Sequence, residues 1–336
     1  MSSTLADWLK PVSASLSVSQ AHAWLIAGSG AQGQLELALA VAKASLCHDD
    51  AARQSGQGCG ACPSCHQFDL KTHADLKVIL PEVLGLETGW PLENAAARDV
   101  EKKKRKPSSE IRIDAVRELL AFCQLTPSGP RDKVVVLHPC ERLNTASANA
   151  LLKTLEEPGE RTRFILTTQA ESRLLPTVKS RCLIHRLAVP SPDQTLSWLQ
   201  AQGVEHDAAA LLRAAGGQPE AALALHQAGW NAQRWSGLPK AIRAGDVQAL
   251  SDLPMPEVVG LLQKICHDTL ALVHGGEPRF FAPQDLPTKA HAWRLAQWAR
   301  ALNDTARHAQ HPYHAPLMLD ALVSQAQRAL QDSHVH

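Results

Sequence analysis

The run from Lys133 to Leu137 constrains the fold more than any other part of this sequence. After Lys133 the run is apolar, with three β-branched valines and no polar alternation, which is typical of a strand buried on both faces of a parallel sheet. Similar short runs occur before and after it, separated by helical patterns of apolar residues. The predicted strands are residues 24–27, 77–80, 133–137, 164–168 and 182–184, and the predicted helices are 35–47, 111–122 and 145–156. This alternation predicts an α/β fold, a parallel five-stranded sheet with helices on both faces.

The pattern changes after Val189, where Pro190-Ser191-Pro192 marks a linker and strand patterns cease. Apolar stripes with helical spacing continue to the end of the chain. We therefore predict an α/β domain at residues 1–187, a small helical domain at 188–229 and an all-α domain at 230–336. In the last of these, Trp293 and Trp298 are expected in the core.

Composition excludes several classes of protein. The formal net charge is +1, which gives no overall attraction to nucleic acid or to a membrane surface. No apolar run approaches the roughly 18 residues that a membrane span needs. The first residues lack a basic segment followed by an apolar core, so no secretion signal is expected and the sequence predicts a cytoplasmic protein. Its eight cysteines are then thiols or metal ligands, not disulfides.

A glycine-rich segment, Gly28 to Leu35, lies between the first predicted strand and helix. It has the frame of a P-loop, in which backbone amides and a helix N-terminus cradle phosphates. Gln34 stands where a P-loop has the lysine that neutralises phosphates, and Leu35 where it has the hydroxyl that holds Mg²⁺. A neutral amide and an alkyl chain do neither, so we expect a degenerate loop (Gly28, Gly33, Gln34, Leu35) whose glycines serve folding alone.

The end of the strand at 133–137 supports the same expectation. An NTPase of this type places there the carboxylates that hold Mg²⁺ and polarise water. Here the strand is followed by His138-Pro139-Cys140. Because two losses at one site agree, the sequence predicts that this chain binds no ATP of its own.

Four cysteines fall within one segment rich in small residues: Cys47, Cys59, Cys62 and Cys65. Four thiolates with this spacing in a cytosolic protein favour a tetrahedral structural zinc site without an open coordination position. A redox-active Cys-x-x-Cys pair is the alternative. His48 and His66 could serve as spare ligands, although surface histidines are the simpler interpretation. The remaining cysteines are expected to be packed: Cys123, Cys140, Cys182 and Cys266.

Three further motifs lie in the α/β region. Residues 149–158 read Asn-Ala-Leu-Leu-Lys-Thr-Leu-Glu-Glu-Pro, then come Leu166-Thr167-Thr168 and Ser180-Arg181-Cys182. In order and spacing they resemble the signature, the sensor-1 strand and the Ser-Arg-Cys motif of the AAA+ subunits of bacterial DNA polymerase III clamp loaders. The segment 47–65 falls where that family carries a zinc module. The resemblance covers residues 1–187, while the helical domains match only in length and character, as a lid and an oligomerising collar.

The resemblance implies a division of labour. Motor subunits of the family keep the lysine, the hydroxyl and the carboxylates that this chain lacks at its nucleotide site. The resemblance therefore implies that this chain is a non-catalytic subunit of the DNA-directed DNA polymerase III holoenzyme, without intrinsic activity. Arg181 is implied as an arginine finger, reaching the γ-phosphate of ATP on a neighbouring motor subunit with a permanent charge and a planar fork. The implied partners are tau/gamma motor subunits and a delta subunit in a hetero-oligomeric ring, and through that complex the sliding clamp and primer–template DNA.

Two other functions remain open at the level of sequence. An active AAA+ ATPase is one, against which Gln34 and His138 argue. A zinc-dependent DNA-binding protein is the other, using the segment 47–65 and the basic run Lys102 to Lys106 within an insertion at 82–110. A solvated loop is the simpler interpretation of that run, with nonspecific DNA contact as the alternative. Outside its motif, Arg181 would be interpreted as a surface salt-bridge residue.

Overall fold

The predicted strands form one sheet in the computed structural model, which describes residues 5–30, 32–92, 100, 105–308 and 315–331. All pairings are parallel, and the strand order is β2-β3-β4-β1-β5. β3 and β4 are buried along their whole length, as the β-branched run indicated. The α/β fold class is confirmed. The strands are β1 (Ala23–Ala27), β2 (Leu76–Ile79), β3 (Lys133–Leu137), β4 (Thr162–Thr168) and β5 (Leu183–Arg186).

Helices cover both faces of this sheet within a first compact unit, residues 1–191. They are α1 (Lys10–Val18), α2 (Gln34–Leu46), α3 (Asp50–Gln54), α4 (Pro63–Asp69), α5 (Glu82–Thr88), α6 (Ile113–Gln124), α7 (Thr145–Glu156) and α8 (Pro176–Lys179). On one face, Val135 shares an apolar cluster with Leu119 of α6 and Leu151 of α7. Val134 and Val136 alternate to the other face, where α2 contacts β3 and β4.

The strand order brings three segments together at the carboxyl edge of the sheet. β1 lies between β4 and β5, with Ala27 opposite Thr168, and β3 lies on the other side of β4. The residues that follow β1, β3 and β4 therefore begin side by side, at Gly28, His138 and Gln169. In open α/β sheets, ligands bind in the crevice at this edge. The glycine loop and the strand end without carboxylates thus share one location.

The second compact unit, residues 192–336, contains only helices within its described parts, 192–308 and 315–331. They are α9 (Pro192–Ala201), α10 (Ala208–Ala214), α11 (Pro219–Gln227), α12 (Ala232–Ala244), α13 (Met255–Val273), α14 (Ala292–His308) and α15 (Ala315–Leu330). Trp298 is buried in their core as expected, but Trp293 is 62% exposed, so its placement in the core is wrong. The domain boundaries at 187 and 229 stay predictions. None of the helices that the structure describes is both long and apolar enough to cross a membrane.

The basic insertion begins at α5 and is partly described. Buried Glu82 accepts hydrogen bonds from the Arg105 guanidinium at 2.5 and 2.6 Å and from Ser108 N at 2.8 Å. Burial raises the pKa of the Glu82 carboxyl, but Arg105 and the Ser108 amide outweigh burial and hold that pKa below its ordinary value. Lys102 to Lys104 lie outside the described residues. One member of the basic run is therefore paired within the unit.

Candidate functional site

The glycine loop lies where the sequence places it, between β1 and α2. Gly28 N donates to Thr168 O at 3.0 Å and Gly30 N donates to Gln169 O at 3.2 Å, which ties the loop to the end of β4. Gly33 precedes α2 with φ 83°, a left-handed conformation that favours glycine. Two amides of the loop are thus bonded to the sheet.

The Gln34 side chain fills the interior of this loop. Its Oε1 accepts from Gln32 N at 2.9 Å, its Nε2 donates to Gly30 O at 2.6 Å, and the residue is 1% exposed. A Cβ built on Gly28 would lie 2.3 Å from Gln34 Nε2, so the loop wraps closely around this amide. Leu35 is also buried. The position that a lysine would use to reach phosphate therefore holds a neutral group bonded to the loop itself.

His138 follows β3 in place of a carboxylate and is 5% exposed. Its Nδ1 lies 2.6 Å from Thr167 Oγ1 on β4. Burial lowers the pKa of His138 from 6.5 to about 4, so the imidazole is neutral near pH 7. A buried neutral ring provides no negative charge for Mg²⁺, which binds through oxygen ligands.

Glu141 carries the carboxylate that sequence reasoning missed near this strand end. Its Oε2 accepts from Thr168 Oγ1 at 2.7 Å, and its Oε1 accepts from Gln169 N at 3.0 Å. Both oxygens are therefore engaged by the end of β4, beside the glycine loop. Its position shortly after the apolar run was the only available signal, since the partners on β4 are distant in sequence.

The four predicted metal-ligating cysteines come together. The Sγ atoms of Cys47, Cys59, Cys62 and Cys65 all lie within 4.8 Å of one another. Two of the sulfur pairs, Cys47 with Cys62 and Cys59 with Cys65, are 3.9 Å apart. Tetrahedral zinc with Zn–S bonds of about 2.3 Å requires sulfur separations of about 3.8 Å, so this donor set fits such an ion. His48 and His66 are exposed and stand outside the cluster.

Backbone amides point at the sulfurs, as a thiolate cluster needs. Cys59 N donates to Cys47 Sγ at 3.3 Å, Cys62 N to Cys59 Sγ at 3.3 Å, and Cys65 N to Cys62 Sγ at 3.4 Å. Burial raises the pKa of the Cys62 thiol, but the amides of His48 and Cys65 outweigh burial and lower that pKa to about 6. Burial raises the pKa of Cys47 and Cys65. A bound cation would stabilise these buried thiolates.

Arg181 joins two of the sequence motifs in space. Its Nη2 donates to Glu156 Oε2 at 3.0 Å, and its Nη1 donates to Thr177 O at 3.0 Å. The Arg181 side chain is 26% exposed and that of Glu156 is 59% exposed. The Ser-Arg-Cys motif thus lies against the last residue of α7, although the two motifs are separate in sequence.

A parallel sheet with the strand order β2-β3-β4-β1-β5 and a glycine loop between β1 and α2 is the arrangement of a P-loop-type α/β module. The family model described as "DNA polymerase III, delta subunit" matches residues 12–191. The DNA polymerase III subunit delta′ of Pseudomonas aeruginosa is 36% identical over 217 residues, and that of Escherichia coli is 32% identical over 263 residues. The chain belongs to the DNA polymerase III delta′ family.

The alignments cover part of each protein. The first covers 64% of this chain and 58% of the P. aeruginosa relative, and the second covers 76% of this chain and 71% of the E. coli relative. Among solved structures, a DNA polymerase III gamma subunit-related protein from Thermotoga maritima aligns with a TM-score of 0.45 and 18% identity, covering 97% of this chain and 100% of that one. The family model and the delta′ relatives confirm the family predicted from the motifs.

Proposed function

We propose that this chain is a non-catalytic subunit of a DNA polymerase III clamp loader. It works in the cytoplasm in a ring with tau/gamma motor subunits and a delta subunit, and it assists the ATP-dependent loading of the sliding clamp onto primer–template DNA. Family membership supports this role. The observation that carries the non-catalytic part is the Gln34 side chain inside the nucleotide loop. A module whose nucleotide loop is occupied by its own side chain contributes to the proposed ring through its other surfaces.

The test of the non-catalytic part is binding of Mg-ATP to the full chain. We expect no saturable binding of a labelled ATP analogue, because Gln34 brings no positive charge and occupies the Gln32 amide. A motor subunit measured in parallel shows that the assay detects binding. Tight, Mg²⁺-dependent binding to this chain would remove the claim of a degenerate site.

In this proposal, Arg181 acts as an arginine finger on ATP held by a neighbouring motor subunit. Its guanidinium is partly exposed. Nη1 donates to Thr177 O and to Ser180 Oγ, and Nη2 donates to Glu156, so one hydrogen of Nη2 remains as a further donor. Arginine fingers supplied in trans contribute about 10³–10⁵ in rate in other NTPases. The finger gives an ATP-free subunit a direct effect on ATP turnover.

Reconstitution with motor subunits, delta subunit, clamp and primed DNA tests this role. We expect Arg181→Ala to lower ATP turnover at the interface that this chain serves, and to lower clamp loading, while the complex still assembles in size-exclusion chromatography. Arg117→Ala is a matched control, since Arg117 is 70% exposed and pairs only locally with Asp114 among the described contacts. Unchanged clamp loading by Arg181→Ala would refute the proposal that Arg181 is an arginine finger.

We also propose that the four-cysteine cluster holds a structural zinc ion through Cys47, Cys59, Cys62 and Cys65. The sulfur separations and the amides directed at the sulfurs support a closed, non-catalytic site. Metal analysis is expected to give one zinc per chain for the wild type and a loss of zinc and thermal stability in Cys62→Ser. Cys182→Ser, which changes a cysteine outside the cluster, is expected to keep the zinc. A zinc-free wild type that melts normally would contradict the proposal.

A further inference from the structure

The guanidinium of Arg181 is held between two structural elements. Glu156, the last residue of α7, accepts from Nη2 at 3.0 Å, and the backbone carbonyl of Thr177 in α8 accepts from Nη1 at 3.0 Å. The Nε atom is buried, and within the described part of the chain it has no hydrogen-bond partner. The plane of the guanidinium is therefore fixed from two sides.

The Glu156 carboxylate is itself placed by a rigid element. α7 is capped by Asn144, whose side chain accepts from Ser147 N at 2.9 Å, and it is anchored by Leu151 and Leu155, both 0% exposed. The core beneath the sheet thus sets where this carboxylate stands. Thr177 O belongs to the short helix directly before the Ser-Arg-Cys motif.

An ion pair this exposed adds little to stability, so its importance lies in orientation. A free arginine side chain samples many rotamers and must be ordered when it meets a phosphate. An arginine already held by two acceptors needs less ordering, and reaction rates are sensitive to small misplacements of groups that stabilise the transition state. The negative charge of the Glu156 carboxylate also favours a positively charged guanidinium over a neutral side chain at position 181.

We infer that Glu156 is a positioning residue for Arg181: it orients the guanidinium that acts on ATP of the neighbouring subunit. This inference rests on the proposed function of Arg181. It assigns to Glu156, and to no other residue of the motif at 149–158, a role in the partner's ATP site, exerted through Arg181. Glu157, exposed and next in sequence, has no such contact among the described bonds.

The experiment uses the reconstituted complex with Glu156→Ala, Glu156→Gln and the matched control Glu157→Ala. We expect Glu156→Ala to lower kcat for ATP by about tenfold with KM and assembly unchanged, because misplacing a catalytic group by a small distance has effects of that order or larger. Glu156→Gln keeps an acceptor oxygen and is expected to recover most of the rate, and Glu157→Ala matches the wild type. Adding Glu156→Ala to Arg181→Ala is expected to cause no further loss.

Two results separate failure of the inference from failure of the proposed function. If Arg181→Ala lowers turnover while Glu156→Ala behaves as Glu157→Ala, Arg181 is a finger and Glu156 does not position it. A rise in kcat with Glu156→Ala would show that the carboxylate competes with phosphate, which also overturns the inference. If Arg181→Ala does not change ATP turnover, Arg181 is not an arginine finger, and Glu156 then has no positioning role.

Discussion

Replacing His138 by a residue that does not titrate should flatten the pH dependence of stability of the sheet unit. The ring is neutral in the folded chain, because burial lowers the pKa of His138 from 6.5 to about 4. Between these values the unfolded chain takes up a proton that the folded chain excludes. The stability that His138 contributes is therefore complete above pH 6.5 and is lost as the pH falls through the folded pKa of about 4.

The magnitude follows from the shift. Each pKa unit corresponds to about 1.4 kcal/mol, and about two units of a fall in pH from 7.5 to 4.5 lie below the unfolded pKa of 6.5, so this fall costs about 2.5 kcal/mol through this one ring. The ring is 5% exposed, so solvent screening does not reduce this figure much. In His138→Asn the same fall in pH is expected to cost about 2.5 kcal/mol less, whatever the variant's stability at neutral pH.

Denaturant titrations read out by hydrogen–deuterium exchange of peptides containing β3 would report on this unit in the full chain. The comparison is the difference between the wild-type and His138→Asn unfolding free energies at each pH. Because the cysteine cluster and the carboxylates titrate in both proteins, their contributions cancel in that difference. Parallel curves for the two proteins would refute the assignment of a neutral buried ring.

Three further substitutions test buried polar groups. Lys133→Met is expected to destabilise the sheet unit by about 3 kcal/mol in urea unfolding. Lys133 Nζ donates to the carbonyls of Phe122, Cys123 and Leu125, and these buried acceptors would lose their donor. A loss of stability below about 1 kcal/mol would contradict this prediction. Asp268→Asn is expected to lower the stability of the helical unit by about 2–3 kcal/mol, since the fully buried carboxylate accepts from three successive backbone amides of the segment 279–281. A melting temperature equal to that of the wild type would contradict this prediction. Asp75→Asn places an amide against the N–H groups of residues 128 and 129 and is expected to cost about 1–2 kcal/mol, with faster exchange of that loop as the readout; unchanged exchange there would speak against it.

The sequence predicted the sheet well because its strands are short apolar runs between helical patterns. Two strand boundaries shift by two residues: the central strand β4 begins at Thr162 and not at the predicted 164, and the edge strand β5 ends at Arg186 and not at the predicted 184. In β5, Leu183 is 56% exposed. An edge strand needs less continuous apolarity, so its ends are weakly marked. α7 spans the predicted residues 145–156, and its N-cap is Asn144, a residue type that favours this position.

The candidate site likewise contains features that the sequence predicts and features that it does not. Cysteine spacing predicted the cluster because ligands close in sequence are readable from the chain alone. The two bonds of the Gln34 side chain were not predictable, although its replacement of a lysine was visible. The contact between Glu156 and Arg181 joins residues far apart in sequence, and so do the bonds from Glu141 to the end of β4. Such pairs depend on the order of strands in the sheet, which a single sequence leaves open.

The filled loop also changes how the stability of this module relates to metabolism. A protein that binds a nucleotide only when folded gains stability as the nucleotide concentration rises. In this chain, Gln34 satisfies Gln32 N and Gly30 O from within, so the loop carries its own permanent substitute for a ligand. If the loop binds no nucleotide, as proposed, the folding of this module is uncoupled from the ratio of ATP to ADP. In the proposed ring, the stability of this module would then stay the same while the motor subunits pass through their nucleotide states.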